Sequence, residues 1–304
     1  MQRIYDLPAP AKLNLFLHIV GQRADGYHLI ESAFMLIDWY DTLHLELRSD
    51  GAFTREDLVN ETGLALPEQD LTLRAARALQ QASRCTLGVH IGLEKRVPAQ
   101  AGMGGGSSDA ATCLLALNRL WGLHWPLARL LPIGLALGAD VPFFLAGHNA
   151  WVEGVGERIT PLRGDQALPQ QRFVVVKPRA GLETASIFGD ADLKRDSATA
   201  IISGFAANPY GFGCNALQTV AQRLCPEVTQ ALDWLQSRGL QGRMTGSGSA
   251  VFAPLPYRKA GPEGEQAGHL SHTLGDGWLV RDCSNLVVHP LAGWASSDDV
   301  SVGR

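Results

Sequence analysis

The sequence predicts two domains, each of mixed helix and strand. Three observations carry that expectation. Stretches at 11–20, 29–38, 42–48 and 89–93 read as strands, most clearly by alternation at 11–20, and 173–176 is a short apolar run. Segments with helical spacing lie among them, chiefly 110–121. Around 147–156 the pattern weakens before a second set of strands and helices begins, which marks a domain boundary. A chain of 304 residues is long enough for one large domain or two ordinary ones, and the weakened pattern favours two.

Composition narrows the function classes. With 46% hydrophobic and 18% charged residues, the chain can bury a core and is not a disordered one. A net charge of −4 offers no basic excess for nucleic acid or an anionic membrane. The five cysteines (85, 113, 214, 225 and 283) are scattered, form no C-x-x-C pair and read as reduced thiols of a cytoplasmic protein. The nine histidines show no metal-ligand spacing with them. Asp6, Pro8 and Pro10 interrupt any N-terminal signal, and no apolar run is long enough to cross a bilayer.

In chain order, Leu13, Leu15, Leu17 and Ile19 face one side of the first strand, while Lys12, Asn14, Phe16 and His18 face the other. Lys12 and Asn14 are thus either a solvated strand face or a cation and an amide set to meet an oxyanion or hydroxyl. Arg23 to His28 form a turn centred on Asp25-Gly26. Tyr27 and His28 sit where the chain returns to the sheet, and by themselves fit an edge aromatic and an exposed imidazole. Strands follow at 29–38 and 42–48, then a polar loop at 49–69. Helix 71–82 has Asp70 as N-cap. Strand 89–93 ends at Lys95-Arg96, which are either two cations beside the glycines that follow or a pair of ordinary surface charges.

Pro98 to Asp109 holds Gly102, Gly104, Gly105, Gly106, Ser107, Ser108 and Asp109, and feeds the helix at 110–121. Ser107 or Ser108 can cap its first turn, and Asp109 suits the positive end of its dipole. Such a loop aims backbone N–H groups at one spot, which suits phosphate. A flexible connector is the plain alternative. No lysine completes a Walker pattern, and Ser107 stands where the third glycine of a dinucleotide fingerprint would fall.

Pro126 opens a helical stretch to Leu137, with Pro132 predicting a kink or two short helices. Asp140, a lone acid between apolar runs, is either a cap or a site residue. Helices are expected at 215–223 and 226–238. A strand, a small-residue loop and a strand are expected over 243–253, a long excursion at 254–277, and a last strand at 278–280. The tail from about Ala292 reads as disordered.

Together Pro10-Ala11-Lys12, the loop 102–108 and Thr245-Gly246-Ser247-Gly248-Ser249 resemble, in order and separation, the three motifs of the GHMP kinases. Arg23 to His28, Gly138 to Phe143 and Glu153 to Glu157 narrow the likeness to one branch of that family, over about residues 10–290. The resemblance implies a two-domain α+β fold with the active site in the interdomain cleft. It divides the chain into an N-terminal domain (1–153), a C-terminal domain (154–291) and a tail (292–304). It implies ATP as phosphoryl donor with Mg2+. The acceptor it implies is the 2-hydroxyl of 4-diphosphocytidyl-2-C-methyl-D-erythritol, a small-molecule substrate of the non-mevalonate isoprenoid route, handled by a monomer or weak homodimer.

The same resemblance implies roles. Asp140 matches the base and Lys12 the cation that holds hydroxyl and base in register. Asn14 would bind the substrate alcohol. Tyr27, His28, Thr184 and Phe188 would read the cytidine end, with Phe188 stacking on the ring. Pro98, Gly102, Gly104, Gly105, Gly106, Ser107 and Ser108 would cradle ATP, with Ser107 or Ser108 near magnesium and Lys95 as a cation near the nucleotide. The chain departs from the family at Ala99-Gln100-Ala101, where glycines are usual. It departs again at Asp70, where an Asn is common beside adenine, at Pro132, and in the Gly- and Pro-rich 254–277. Two rivals stand: a GHMP kinase for a sugar or amino acid, which would have no use for Tyr27, His28 and Phe188, and a nucleotide-binding module, which would not need a base.

Overall fold

A computed structural model describes residues 2–62, 64–256 and 276–296. Its first sheet is built on one long hairpin. Strand β1 (Arg3–Gln22) runs antiparallel to β2 (His28–Arg48), joined through Gly26 at φ +89°, a left-handed conformation that glycine adopts without strain. Two strands are predicted where β2 is one. The reason is Asp41, which breaks the apolar pattern yet is fully buried, accepting from the N–H groups of Arg96 and Val97 at 2.6 and 2.8 Å. The two halves of β2 then serve different neighbours. Residues 42–48 pair with β4 (Gly88–Lys95), and residues 30–34 pair with β5 (Ala150–Gly154), which β6 (Arg158–Pro161) extends.

The segment expected to be loop at 49–69 contains β3 (Phe53–Asn60), which lies parallel to β4 at the sheet edge. Its Thr-Arg-Glu-Asp centre is largely exposed, so it shows no apolar alternation. Helix α1 (Leu71–Ser83) connects the pair and starts as expected, with Asp70 accepting from the N–H groups of Thr72 and Leu73. Helix α2 (Gly105–Leu120), α3 (Leu127–Leu137) and α4 (Val141–Ala146) follow. Of the two expectations at Pro132, a kink or two short helices, the division does not occur; Pro132 removes one N–H from the ladder and α3 continues for five residues.

The second sheet has the order β10 (Leu279–Ser284), β7 (Arg172–Lys177), β9 (Val251–Pro254), β8 (Arg243–Met244). Four helices accompany it: α5 (Thr184–Phe188), α6 (Ile202–Ala207), α7 (Gln218–Leu224) and α8 (Pro226–Gln236). Helix α7 begins three residues later than predicted, because the Asn215 amide is spent elsewhere. Its Nδ2 donates to Met244 O and Gly246 O, both at 2.8 Å, and so ties this segment to the late glycine loop.

Burial orders the layers. Helices α1 to α4 pack on one face of the first sheet through Leu36, Leu45, Ile91, Leu114 and Phe143. Its other face meets the second sheet through Leu13, Phe16, Met35, Phe173 and Phe252. The far face of the second sheet packs on α7 and α8 through Val174, Val176, Val220 and Leu235. The first strand, read as half buried, is therefore buried on both faces, Lys12 and Asn14 included.

Two expected boundaries fall elsewhere in the fold. The division after residue 153 lies inside the β5–β6 hairpin, which belongs to the first sheet as far as Pro161. We therefore propose that the two lobes divide after Pro161. Residues 292–296 of the supposed tail are packed: Ala295 is in the first core, and Ser296 O accepts from Leu127 N at 2.9 Å. Residues 297–304, and most of the excursion at 254–277, lie outside the described residues.

Candidate active site

A cleft of about 890 Å3 separates the lobes, a volume suited to a large ligand. Lys12 and Asp140 meet in it, with Nζ 3.6 Å from Oδ2. Lys12 comes from the middle of β1 and is almost wholly buried; its own N–H is fixed to Met103 O at 2.9 Å. Burial pulls its pKa down, and Asp140 opposes that pull. The ammonium also donates to Asn14 Oδ1 and lies 4.8 Å from the centre of the Phe34 ring. Asn14 is held in turn by Ser32 Oγ at 3.0 Å through its side chain and by Thr245 Oγ1 at 2.9 Å through its backbone. Asp140 sits at the head of α4 without capping it and is about a third exposed toward the cleft, so of its two readings the structure excludes the side-chain cap.

Two glycine loops face each other beside this pair. Helix α2 begins at Gly105 rather than Ala110, with Gly104 as N-cap at φ +71°, so neither serine caps it. Its first N–H groups have no carbonyl partner in their own helix, and Gly105, Gly106 and Ser107 of that turn line the cleft. A Cβ on Gly102 would fall 2.2 Å from Thr245 O, and one on Gly246 would fall 2.7 Å from Gly102 O. The loops touch backbone to backbone, which explains the small residues in both. In the departure Ala99-Gln100-Ala101, only Gln100 takes a left-handed φ, +51°. Pro98, Gly102, Gly104, Gly105, Gly106 and Ser107 line the cleft. Ser108 is fully buried and its hydroxyl has no partner, so the two expected serines separate, with Ser107 toward the cleft and Ser108 toward the core.

Lys95 lines the cleft beside the glycine loop, with its charge already engaged inside the protein. Its ammonium is gripped by Asp41 and by Asp109 Oδ2 at 2.6 Å, with 5% of the residue exposed. Burial disfavours the charge, but the two carboxylates outweigh it and hold the pKa above the ordinary lysine value. The Asp109 pKa is raised as well, far above a normal carboxylate, first by its burial and then by Asp41, against the pull of Lys95. The trio joins β2, β4 and the first turn of α2. Asp109 thus acts through an ion pair, where the sequence suggested the helix dipole. Asp70, the departure near the expected adenine site, has both oxygens occupied by the α1 cap and an Arg55 Nη1 contact at 3.0 Å.

At the other end of the cleft, Thr184 Oγ1 lies 2.8 Å from Ser247 Oγ, joining α5 to the late glycine loop. Phe188, on α5, packs its ring 5.1 Å from the ring of His28. Tyr27 does not join them; it is 63% exposed, on a turn closed by donation of its N–H to Asp25 Oδ1. One residue here escaped the sequence reading. Arg195 donates from Nε to His28 Nε2 at 3.0 Å, and its other nitrogens donate to Leu193 O at 2.9 Å and Asp190 O at 3.1 Å.

Chemically, the cleft combines a helix N-terminus suited to an anion, a carboxylate beside a buried ammonium, and a far end where Phe188 packs on His28. Acid–base work on a hydroxyl close to a bound phosphate is within its reach.

Comparison with known proteins agrees with these features. Residues 70–148 match the GHMP kinases N-terminal domain, and residues 198–267 match the GHMP kinases C-terminal domain. A 4-diphosphocytidyl-2-C-methyl-D-erythritol kinase of Albidiferax ferrireducens is 63% identical over 100% of this chain and 99% of its own length. Another of the same name, from Delftia acidovorans, is 62% identical over 99% of this chain and all of its own. A crystal structure of 4-(cytidine 5'-diphospho)-2C-methyl-D-erythritol kinase superposes with a TM-score of 0.74 at 32% identity, covering 93% of this chain and 99% of that one.

Proposed function

The chain belongs to the GHMP kinases and, within them, to the 4-diphosphocytidyl-2-C-methyl-D-erythritol kinases, and from that premise we propose how its residues carry the reaction. It is an ATP-dependent kinase that phosphorylates 4-diphosphocytidyl-2-C-methyl-D-erythritol in isoprenoid biosynthesis. The acceptor is the 2-hydroxyl of the erythritol moiety. The observation that carries the mechanism is the Lys12–Asp140 pair facing the N-terminus of α2.

Asp140 takes the hydroxyl proton as that oxygen bonds to the γ-phosphorus of ATP and the bond from phosphorus to the β–γ bridging oxygen breaks, releasing ADP. Lys12 steadies the charge that develops on the attacking oxygen and the transferring phosphoryl group, and Asn14 orients the alcohol. Pro98, Gly102, Gly104, Gly105 and Gly106 shape the loop whose amides hold the ATP phosphates. Lys95 acts one step back, by fixing the first turn of α2 through Asp109. His28, Thr184 and Phe188 receive the cytidine end.

Magnesium is held chiefly by phosphate oxygens and water, with one or two protein oxygens. The cleft fits that demand: Ser107 offers a hydroxyl at the α2 N-terminus, while no group of three or more acid, His or Cys side chains among the described residues would hold a metal unaided. When bound, the ion neutralises charge on the transferring phosphates. The five free cysteines accord with a reducing cytoplasm.

The test is a coupled ADP-release assay with the cytidylyl substrate beside free methylerythritol. Turnover of the first alone supports the reading. Turnover of neither, by folded protein that binds ATP, would overturn the substrate assignment.

A further inference from the structure

Arg195 contacts the one imidazole assigned to the base-binding end, and the chemistry of that contact is directional. A guanidinium only donates, so His28 Nε2 must hold a lone pair. A neutral His28 then carries its proton on Nδ1. Burial and the neighbouring Arg195 both lower the pKa of His28, which keeps the ring neutral. Nδ1 takes no hydrogen-bond partner among the described residues and is left to a ligand.

The contact is braced from both lobes. Arg195 is anchored by the carbonyls of Leu193 and Asp190, and the segment after it is pinned to the first sheet. There Ser197 N donates to Ile19 O at 2.9 Å, and Ala200 N donates to Glu31 Oε2 at 2.6 Å. The Phe188 ring covers one side of the imidazole. The guanidinium is thus held in place before any substrate arrives.

We propose that Arg195 is a positioning residue that locks His28 in its Nδ1–H tautomer, and that this lock makes the site prefer cytosine to uracil. The inference rests on the assignment of this end of the cleft to the cytidine group. Cytosine offers an unprotonated N3, which accepts from an N–H. Uracil carries a proton on N3, which an N–H donor rejects. The opposite tautomer would present a lone pair at Nδ1 and reverse that preference. A site whose polar group is fixed in one sense discriminates strongly, because the wrong partner leaves it unpaired.

Two measurements on the full chain test this. The first compares kcat/KM for the cytidylyl substrate and its uridylyl analogue in wild type and Arg195→Met. The ratio is expected to fall by about tenfold or more in the variant, through KM for the cytidylyl substrate, with the KM for ATP unchanged. The second reads the His28 ring nitrogens by 15N NMR without substrate, using His28→Gln to assign the signal. Wild type should show protonated Nδ1, and Arg195→Met a mixture of tautomers. A raised KM with the tautomer unchanged would reduce Arg195 to a loop tether and overturn the proposal. So would an unchanged base preference. If wild type turns over neither nucleotide substrate, the cytidine assignment fails and the base preference with it, while the NMR result still decides the Arg195–His28 tautomer lock.

Discussion

In the proposed mechanism Lys12 and Asp140 act as a pair. Burial alone drives Lys12 toward its neutral form, and the Asp140 carboxylate opposes that drive from 3.6 Å. Replacing Asp140 by Asn removes the proposed proton acceptor and also the charge that opposes the fall in the Lys12 pKa. Asp140→Asn is expected to lower kcat by roughly 10²-fold or more while nucleotide affinity stays close to wild type. Steady-state kinetics and a nucleotide titration check this; near-normal kcat would remove Asp140 from the base role. In the sequence the local pattern left Lys12 and Asp140 each between two readings, and only the resemblance to the family paired them as cation and base. Lys95 was legible as a cation, but its employment was not. Asp41 and Asp109, which claim it, lie 54 and 14 residues away. Arg195 sits among Asp190, Asp192, Lys194 and Asp196, a strip in which nothing local singles out one charge. Only the fold, by bringing His28 across from the first lobe, gives it a task.

Elements were legible where their signals are local. The α1 start follows from Asp70, and the α8 start from Pro226. Asp70→Ala is expected to lower stability by about 1 kcal/mol through loss of the cap, measured by chemical denaturation; an unchanged midpoint would show that Arg55 and water take over its work. The start of α2 was misread because glycines have low helix propensity, yet tertiary contact overrides it: a Cβ on Gly105 would sit 3.1 Å from Val97, and one on Gly104 3.0 Å from Phe144. The same crowding makes the loops a unit. Gly102→Ala would place a methyl 2.2 Å from Thr245 O on a backbone at φ +71°. The left-handed backbone alone costs about 1–2 kcal/mol, and relief of the clash must part the two loops. The expected outcome is a lower unfolding midpoint together with a raised KM for ATP. A stability loss with the ATP KM intact would mean that the two loops move apart without disturbing the phosphate cradle. Strand β3 left no local trace, because an edge strand that buries little needs no apolar alternation.

At the scale of the whole molecule, two lobes were legible, but not the way the chain ends by returning to the first. After β10, residues 285–296 cross back, with Leu291 and Ala295 entering the first core. Pairing across well over a hundred residues leaves no period in a sequence. His289 lies at the centre of that return, 1% exposed, donating its N–H to Gly147 O at 2.8 Å while its Nδ1 accepts from Leu291 N at 3.0 Å. Its Nε2 is buried without a partner, and burial lowers its pKa from 6.5 to about 4. The folded state therefore binds fewer protons than the unfolded chain between those values, so stability is fully present above pH 6.5 and is lost as pH falls toward 4. The loss from this one residue amounts to about 3 kcal/mol. In His289→Asn the amide oxygen can still accept from Leu291 N, and nothing there titrates. Urea unfolding of both proteins at pH 7 and pH 4 should show wild type losing about 3 kcal/mol more than the variant across that window. Equal losses would mean that His289 already takes up its proton in the folded state, and that the returning segment opens locally well before the lobes come apart.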